Sequence, residues 1–164
     1  MKTNALSLKG GIRLAPMAGY TDRAMRLVCR EQGAEYTVTE MVSAKATVFE
    51  DKKTFSLARI LGDEGPVAVQ IFGSEPDVMA RAAQILSNPK EGVRPVAIDI
   101  NMGCPVNKIF SNGEGSALMR DPALIRSIVS AVKCSTDLPV TVKLRAGIDD
   151  NRLNAVECAL AAED

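Results

Sequence analysis

Short runs rich in valine and isoleucine alternate along the chain with longer stretches whose apolar residues recur at helical spacing. Residues 5–8, Lys9-Gly10-Gly11 and residues 12–15 read as a strand, a tight turn and a second strand. A helix is expected after Thr21-Asp22, with Ala24, Leu27 and Val28 on one face. Residues 36–39, 67–72, 96–100 and 140–144 read as core strands. Ser74-Glu75-Pro76-Asp77 resembles a helix start with Ser74 as cap and Asp77 completing the box. Val78, Ala82, Ile85 and Leu86 give that helix its apolar stripe. Asp121-Pro122 opens another helix, with Leu124, Ile125, Ile128, Val129 and Val132 facing inward. Leu153, Val156 and Leu160 mark a last one.

The repeated strand-then-helix order calls for a parallel sheet covered by helices. An open doubly wound sheet is complete at this length, whereas a (β/α)8 barrel needs about 250 residues and eight units. Five units are counted here, and the last helix runs up to Asp164 without a C-cap glycine. The chain is therefore either a finished open sheet or a barrel stopped after its fifth unit. Length favours the first reading.

Composition narrows the chemistry. The 164 residues carry 20 basic and 20 acidic side chains and no histidine. A Ser-His-Asp triad, a Cys-His dyad and a His-ligated metal are excluded within this chain. Neutrality argues against a whole-domain electrostatic grip on nucleic acid, though not against a local patch. No apolar run is long enough for a membrane span, and the first residues lack the apolar core of a signal peptide. The four cysteines form no C-x-x-C pair, so reduced thiols are expected and no metal site. Cys29, Cys134 and Cys158 fall in apolar helical patterns and read as buried structural thiols. Cys104, between Gly103 and Pro105, does not.

In both architectures binding groups gather where strands end. Pro16, Met17 and Ala18 leave the first strand with a surface suited to a flat aromatic ligand; an ordinary strand-to-helix turn explains them as well. Gln70, inside an apolar strand, needs a hydrogen-bond partner from protein, water or ligand. Alternation puts Thr141, Lys143 and Arg145 on one face, opposite Val140, Val142 and Leu144. Lys143 is thereby aimed into a polar site, to meet either an anionic cofactor or a carboxylate. Asn101 to Asp121 reads as a connection of low periodicity, with Asn112-Gly113 as its turn signal. Cys104 has no histidine to make it a nucleophile and no partners for a metal. A cysteine thiol, with an ordinary pKa of about 8.5, suits a general acid best. A structural thiol is the alternative.

These residues resemble the tRNA-dihydrouridine synthases, flavin-dependent (β/α)8 enzymes, and especially their bacterial branch. The resemblance rests on Ala15-Pro16-Met17-Ala18-Gly19 with Thr21-Asp22, on Thr39-Glu40-Met41, and on Val69-Gln70-Ile71 with Gly73-Ser74. It continues through Asp99-Ile100-Asn101-Met102-Gly103-Cys104-Pro105, Lys108, Gly115-Ser116-Ala117-Leu118 and Val142-Lys143-Leu144-Arg145. It implies a partial barrel with an N-terminal hairpin, in which residues 1–164 are the N-terminal part of an FMN-binding domain. It further implies FMN contacts from Pro16, Met17, Ala18, Gln70 and Lys143. Cys104 becomes the proton donor, and Asn101 and Arg145 lie near the substrate base or flavin. The implied reaction is reduction of the uracil 5,6 double bond in tRNA, in the cytoplasm, with NADPH recharging the flavin.

Members of the family continue into a sixth strand with a histidine motif, glycine-rich ends for the FMN phosphate, and a helical domain that helps hold tRNA. Without these the chain alone is expected to be inactive and to hold FMN weakly. Two other readings are another FMN barrel, such as a dihydroorotate dehydrogenase, and a non-catalytic α/β fragment that self-associates through its open edges.

Overall fold

The computed structural model describes residues 11–163, so the first arm of the expected hairpin, residues 5–8, lies outside the described residues. Five parallel strands lie side by side in chain order: β1 (Arg13–Leu14), β2 (Tyr36–Ser43), β3 (Val67–Phe72), β4 (Ile98–Asn101) and β5 (Val140–Lys143). That order decides between the two architectures. A doubly wound sheet reverses at a switch point. Here every crossover steps to the next strand, so right-handed connections put all the helices on one side. The sheet curls as a half-barrel, helices outside and the other face lining the interior.

The helices are α1 (Arg23–Glu31), α2 (Ala44–Val48), α3 (Lys52–Ala58), α4 (Pro76–Ser87), α5 (Asn107–Phe110), α6 (Pro122–Ser135) and α7 (Ala155–Glu163), with a 3₁₀ helix at Gly115–Arg120. Asp22, Asp51 and Asp121 cap α1, α3 and α6 by accepting from the backbone N–H of Met25, Thr54 and Leu124. Ser74 does not cap α4. The cap position is Glu75, which makes no side-chain bond, and Pro76 in the first turn sets the helical φ instead. The main core lies between the outer face of the sheet and this helical layer. Val67, Val69, Ile71, Ile98 and Ile100 meet Met79, Ala82, Leu86, Ile125, Ile128 and Val132 there.

The expected apolar faces of the first and last helices are corrected. In α1, Ala24 is exposed and Val28 is 54% exposed, whereas Arg26 is buried. In α7, Val156 is 75% exposed and Cys158 and Ala161 point inward; Leu153 and Leu160 are also exposed. α1 packs against β2 and α7 against α6, so each helix has a packed neighbour on one side and the rest of its surface faces outward. Of the cysteines, Cys158 is buried, Cys29 partly so, and Cys134 is exposed at the end of α6.

Candidate active site

Strand alternation divides the barrel interior into two layers. The lower one is apolar, built from Val38, Ala68 and Ala97 with Tyr36 packed on them. Above it, nearer the C-terminal strand ends, stand Gln70 of β3, Asp99 and Asn101 of β4, and Thr141 and Lys143 of β5. The parallel register pairs Gln70 with Asp99, Asp99 with Thr141 and Asn101 with Lys143. Paired residues point to the same face, so five polar side chains line one curved surface.

Gln70, Asp99 and Asn101 are buried, and protein atoms satisfy all three. Gln70 Nε2 donates to Asp99 Oδ2 at 2.6 Å. Asn101 Nδ2 donates to Gln70 Oε1 at 2.9 Å. Asn101 Oδ1 in turn accepts from the backbone N–H of Cys104 at 3.0 Å and of Gly103 at 3.2 Å. The Thr141 hydroxyl donates to the other oxygen of Asp99. Burial pushes the Asp99 carboxyl above its ordinary value, opposed by the bonds from Thr141 and Gln70 and by the charge of Lys143. Burial, then the Asp99 charge, raises the Tyr36 phenol as well. The expected partner of Gln70 is thus supplied by the protein, with one N–H and one lone pair left over.

The connection from Asn101 to Asp121 is more ordered than its sequence pattern indicates, because α5 and the 3₁₀ helix are too short to show a period. It returns to Cys104 itself: the backbone N–H of Ser116 donates to the Cys104 carbonyl at 3.0 Å. Gly115 has φ +61, and a Cβ there would lie 2.7 Å from that carbonyl oxygen and 3.1 Å from Cys104 Cβ. Glycine is required on both counts. Cys104 is half-buried, held through its N–H by Asn101 and through its carbonyl by Ser116.

The first strand end is held from below. Arg26 and Glu64 form a buried pair, with Arg26 Nε and Nη2 on Glu64 Oε2 at 2.8 and 2.6 Å. Arg26 Nη1 also donates to the Thr21 carbonyl at 2.8 Å. Thr21 Oγ1 in turn accepts from the Met17 N–H at 3.1 Å. Glu64 Oε1 takes the Leu61 N–H at 2.7 Å. From the side, β2 carries a bulge between Val38 and Met41, where Thr39 and Glu40 together oppose Val69. The Glu40 carboxylate accepts from the Gly19 N–H. Pro16 is partly exposed, Ala18 exposed and Met17 44% exposed above these supports. Arg26 was not a candidate from sequence, because its partner lies 38 positions away.

Lys143 is exposed at the edge strand, contrary to the buried ammonium expected, and its Nζ donates to the Leu144 carbonyl at 3.1 Å. Thr141 does share its face, as alternation requires, while Val140, Val142 and Leu144 pack on the core. Arg145 is exposed and reaches the Gly103 carbonyl at 3.4 Å, so it lies over the Cys104 loop. The structure therefore groups Cys104, Asn101, Gln70, Lys143 and Arg145 around β4. Pro16, Met17 and Ala18 stand separately at the end of β1. Among the described residues no cluster of His, Cys, Asp and Glu has the makings of a metal site. No helix there is long and apolar enough to cross a membrane.

The fold is a partial (β/α) barrel, with a thiol, a cation and a buried amide pair at the C-terminal ends of its strands, the face where proteins of this architecture gather their binding groups. The sequence model of the family described as "Dihydrouridine synthase (Dus)" matches residues 13–164, and the chain belongs to that family. It is 42% identical over 164 residues to "tRNA-dihydrouridine synthase B" of Shewanella oneidensis, covering all of this chain and 50% of that protein. To the "Probable tRNA-dihydrouridine synthase" of Treponema pallidum it is 43% identical, covering 97% of this chain and 47% of that protein. It is also 43% identical over 158 residues to "tRNA-dihydrouridine synthase B" of Pseudomonas putida, covering 96% of this chain and 45% of that protein. The chain thus spans about half the length of the curated relatives it matches.

Proposed function

We propose that the protein reduces the 5,6 double bond of uracil in tRNA, using FMN recharged by NADPH, with Cys104 as the proton donor. The observation that carries this reading is the fixed Cys104 loop, gripped by Asn101 and Ser116, in a chain of the dihydrouridine synthase family. The residues at the strand ends fit a flavin. Met17 and Ala18 offer exposed apolar surface beside Pro16 and Lys143 an exposed cation, while Gln70, though buried between Asp99 and Asn101, is assigned to the ring through the N–H and lone pair those bonds do not use. When bound, reduced FMN supplies a hydride to one carbon of the double bond. Lys143 offsets negative charge on the ring. Cys104 gives its S–H proton to the other carbon, and the thiolate left behind regains a proton from solvent, which its partial exposure allows.

Asn101 holds the backbone N–H groups of the Cys104 loop and Arg145 reaches its Gly103 carbonyl, and both are assigned to the substrate base. Lys143 at the end of β5, Arg145 beyond it and Lys108 in α5 are exposed cations available to tRNA phosphates on a chain of zero net charge. The uracil leaves its stack to enter, as bases do in other modifying enzymes. We infer the cytoplasm as its compartment, since that is where a tRNA substrate would be met. The residues assigned to the cofactor address its ring rather than its phosphate, so the 164-residue chain alone is expected to retain flavin weakly and to be inactive.

The test expresses the gene product that carries this chain in a host lacking dihydrouridine and digests its tRNA for mass spectrometry. Dihydrouridine should appear. Its absence despite a flavin-loaded protein removes the proposed activity. Purified with added FMN, the 164-residue chain should come out largely colourless; a yellow, stoichiometric flavoprotein contradicts weak retention.

A further inference from the structure

We propose that Asp99 is a positioning residue for Cys104, the terminal acceptor of a one-way chain of hydrogen bonds that begins at the Cys104 N–H. Its catalytic meaning rests on the proton-donor reading above, but its geometry does not.

A carboxamide has one donating end and one accepting end, so a row of them can be satisfied only if all point the same way. Here the row is closed at both ends. The backbone N–H groups of Gly103 and Cys104 can only donate, which turns the Asn101 oxygen toward them. The Asn101 nitrogen then faces Gln70 Oε1, and the Gln70 nitrogen is sent to the far side, toward Asp99 Oδ2. Asp99 offers an acceptor there and nothing that conflicts with it. Its other oxygen is taken by the Thr141 hydroxyl. An apolar residue at position 99 would leave the Gln70 nitrogen buried without a partner. An obligate donor would turn Gln70 and Asn101 round until an NH₂ group met the two N–H groups of the loop.

The surroundings strengthen the effect. Gln70, Asp99 and Asn101 are buried, so each bond acts in a low dielectric and polarises the next. A negative oxygen drawing on the Gln70 nitrogen makes Gln70 Oε1 a better acceptor, and Asn101 Oδ1 a better one in turn. The carboxylate thereby tightens a loop that it does not touch. The β4–β5 ladder fixes the spacing, since Asp99 is in register with Thr141 and Asn101 with Lys143.

Isosteric changes test this in the full chain by amide hydrogen exchange followed by NMR, without flavin or tRNA. Asp99→Asn leaves an acceptor but removes its charge. Protection at Gly103 and Cys104 should fall about three- to tenfold, the difference between a charge-assisted and a neutral bond attenuated along the chain. Amides inside α4 and α6 should be unchanged. Adding Gln70→Glu to that variant returns a carboxylate one step nearer the loop, where Asn101 and the new amide at position 99 can each donate to it. Protection at Gly103 and Cys104 should recover to at least the original level.

Unchanged protection in Asp99→Asn overturns the proposal. So does a loss shared equally by α4 and α6, which would assign Asp99 to general stability. Failure of the double variant to restore protection, or failure of both variants to fold, overturns it as well. None of these results bears on whether dihydrouridine is made. Conversely, loss of the proposed activity would leave the exchange results standing.

Discussion

Replacing Glu64 by glutamine exchanges one carboxylate oxygen for an NH₂ group at a position with no access to solvent. In the native chain Glu64 Oε2 receives two N–H groups of Arg26, and Oε1 receives the Leu61 N–H. Whichever way the new amide turns, its NH₂ faces one of those donors. Arg26, 2% exposed, is left as a buried cation without its countercharge. Arg23 is 3.8 Å from the other oxygen and partly exposed, so it adds little. Breaking a buried pair by removing one partner costs about 3–5 kcal/mol, a large part of the ~5–15 kcal/mol that stabilises a domain. With a urea dependence of about 2 kcal/mol per molar, the unfolding midpoint should fall by roughly 1.5–2.5 M. The assay is urea denaturation followed by far-ultraviolet circular dichroism, since the chain has no tryptophan. A loss under about 1 kcal/mol refutes the reasoning, because such a value belongs to exposed pairs. The apolar replacement Arg26→Met with Glu64→Leu should recover most of the stability. It should not recover the grip on the Thr21 carbonyl, and the Met17 loop should exchange its amides faster.

Three further outcomes follow from local geometry. Gly115→Ala places a Cβ in left-handed backbone and against the Cys104 carbonyl. Denaturation should show a loss of at least about 1–2 kcal/mol from the backbone conformation alone, with altered Gly103 and Cys104 amide shifts; a silent substitution contradicts the packing. Among the described residues the buried Thr37 hydroxyl has no hydrogen-bond partner. Thr37→Val should therefore stabilise by about 1 kcal/mol, and destabilisation would reveal a partner. Asp51, capping α3, is held below the ordinary carboxylate range by the Thr54 N–H and hydroxyl. A folded value below the unfolded one contributes stability above pH ~4 that is lost as the pH falls through the depressed value. Asp51→Asn should make the acid side of the stability profile shallower; an unchanged slope removes the assignment.

The periodicities that carry a βα repeat were legible because strand runs such as 67–72 and the α6 pattern obey one rule over several residues. The α2 and α3 pair was not, since helices of five and seven residues leave too little period to read. The exposed faces of α1 and α7 were misread for a different reason. Apolar residues at helical spacing say which residues share a face, but not whether a neighbouring element covers it. Cys104 stood out by its glycine and proline flanks and Gln70 by its apolar neighbours. Alternation placed Lys143 beside Thr141 correctly, but burial did not follow, because β5 is an edge of the sheet. Asp99, Glu40 and the Arg26–Glu64 pair act through contacts 21 to 42 positions apart, which no local pattern encodes.

The central claim is that Cys104 gives a proton to uracil in a tRNA-reducing flavoenzyme. It is tested most directly by reducing the flavin of the gene product carrying this chain, adding tRNA, and following flavin reoxidation and dihydrouridine in one turnover. Cys104→Ala should bind flavin as before and slow dihydrouridine formation by about 10²–10⁴-fold, the usual contribution of a positioned acid. A variant that binds flavin normally and forms dihydrouridine at the original rate would contradict it.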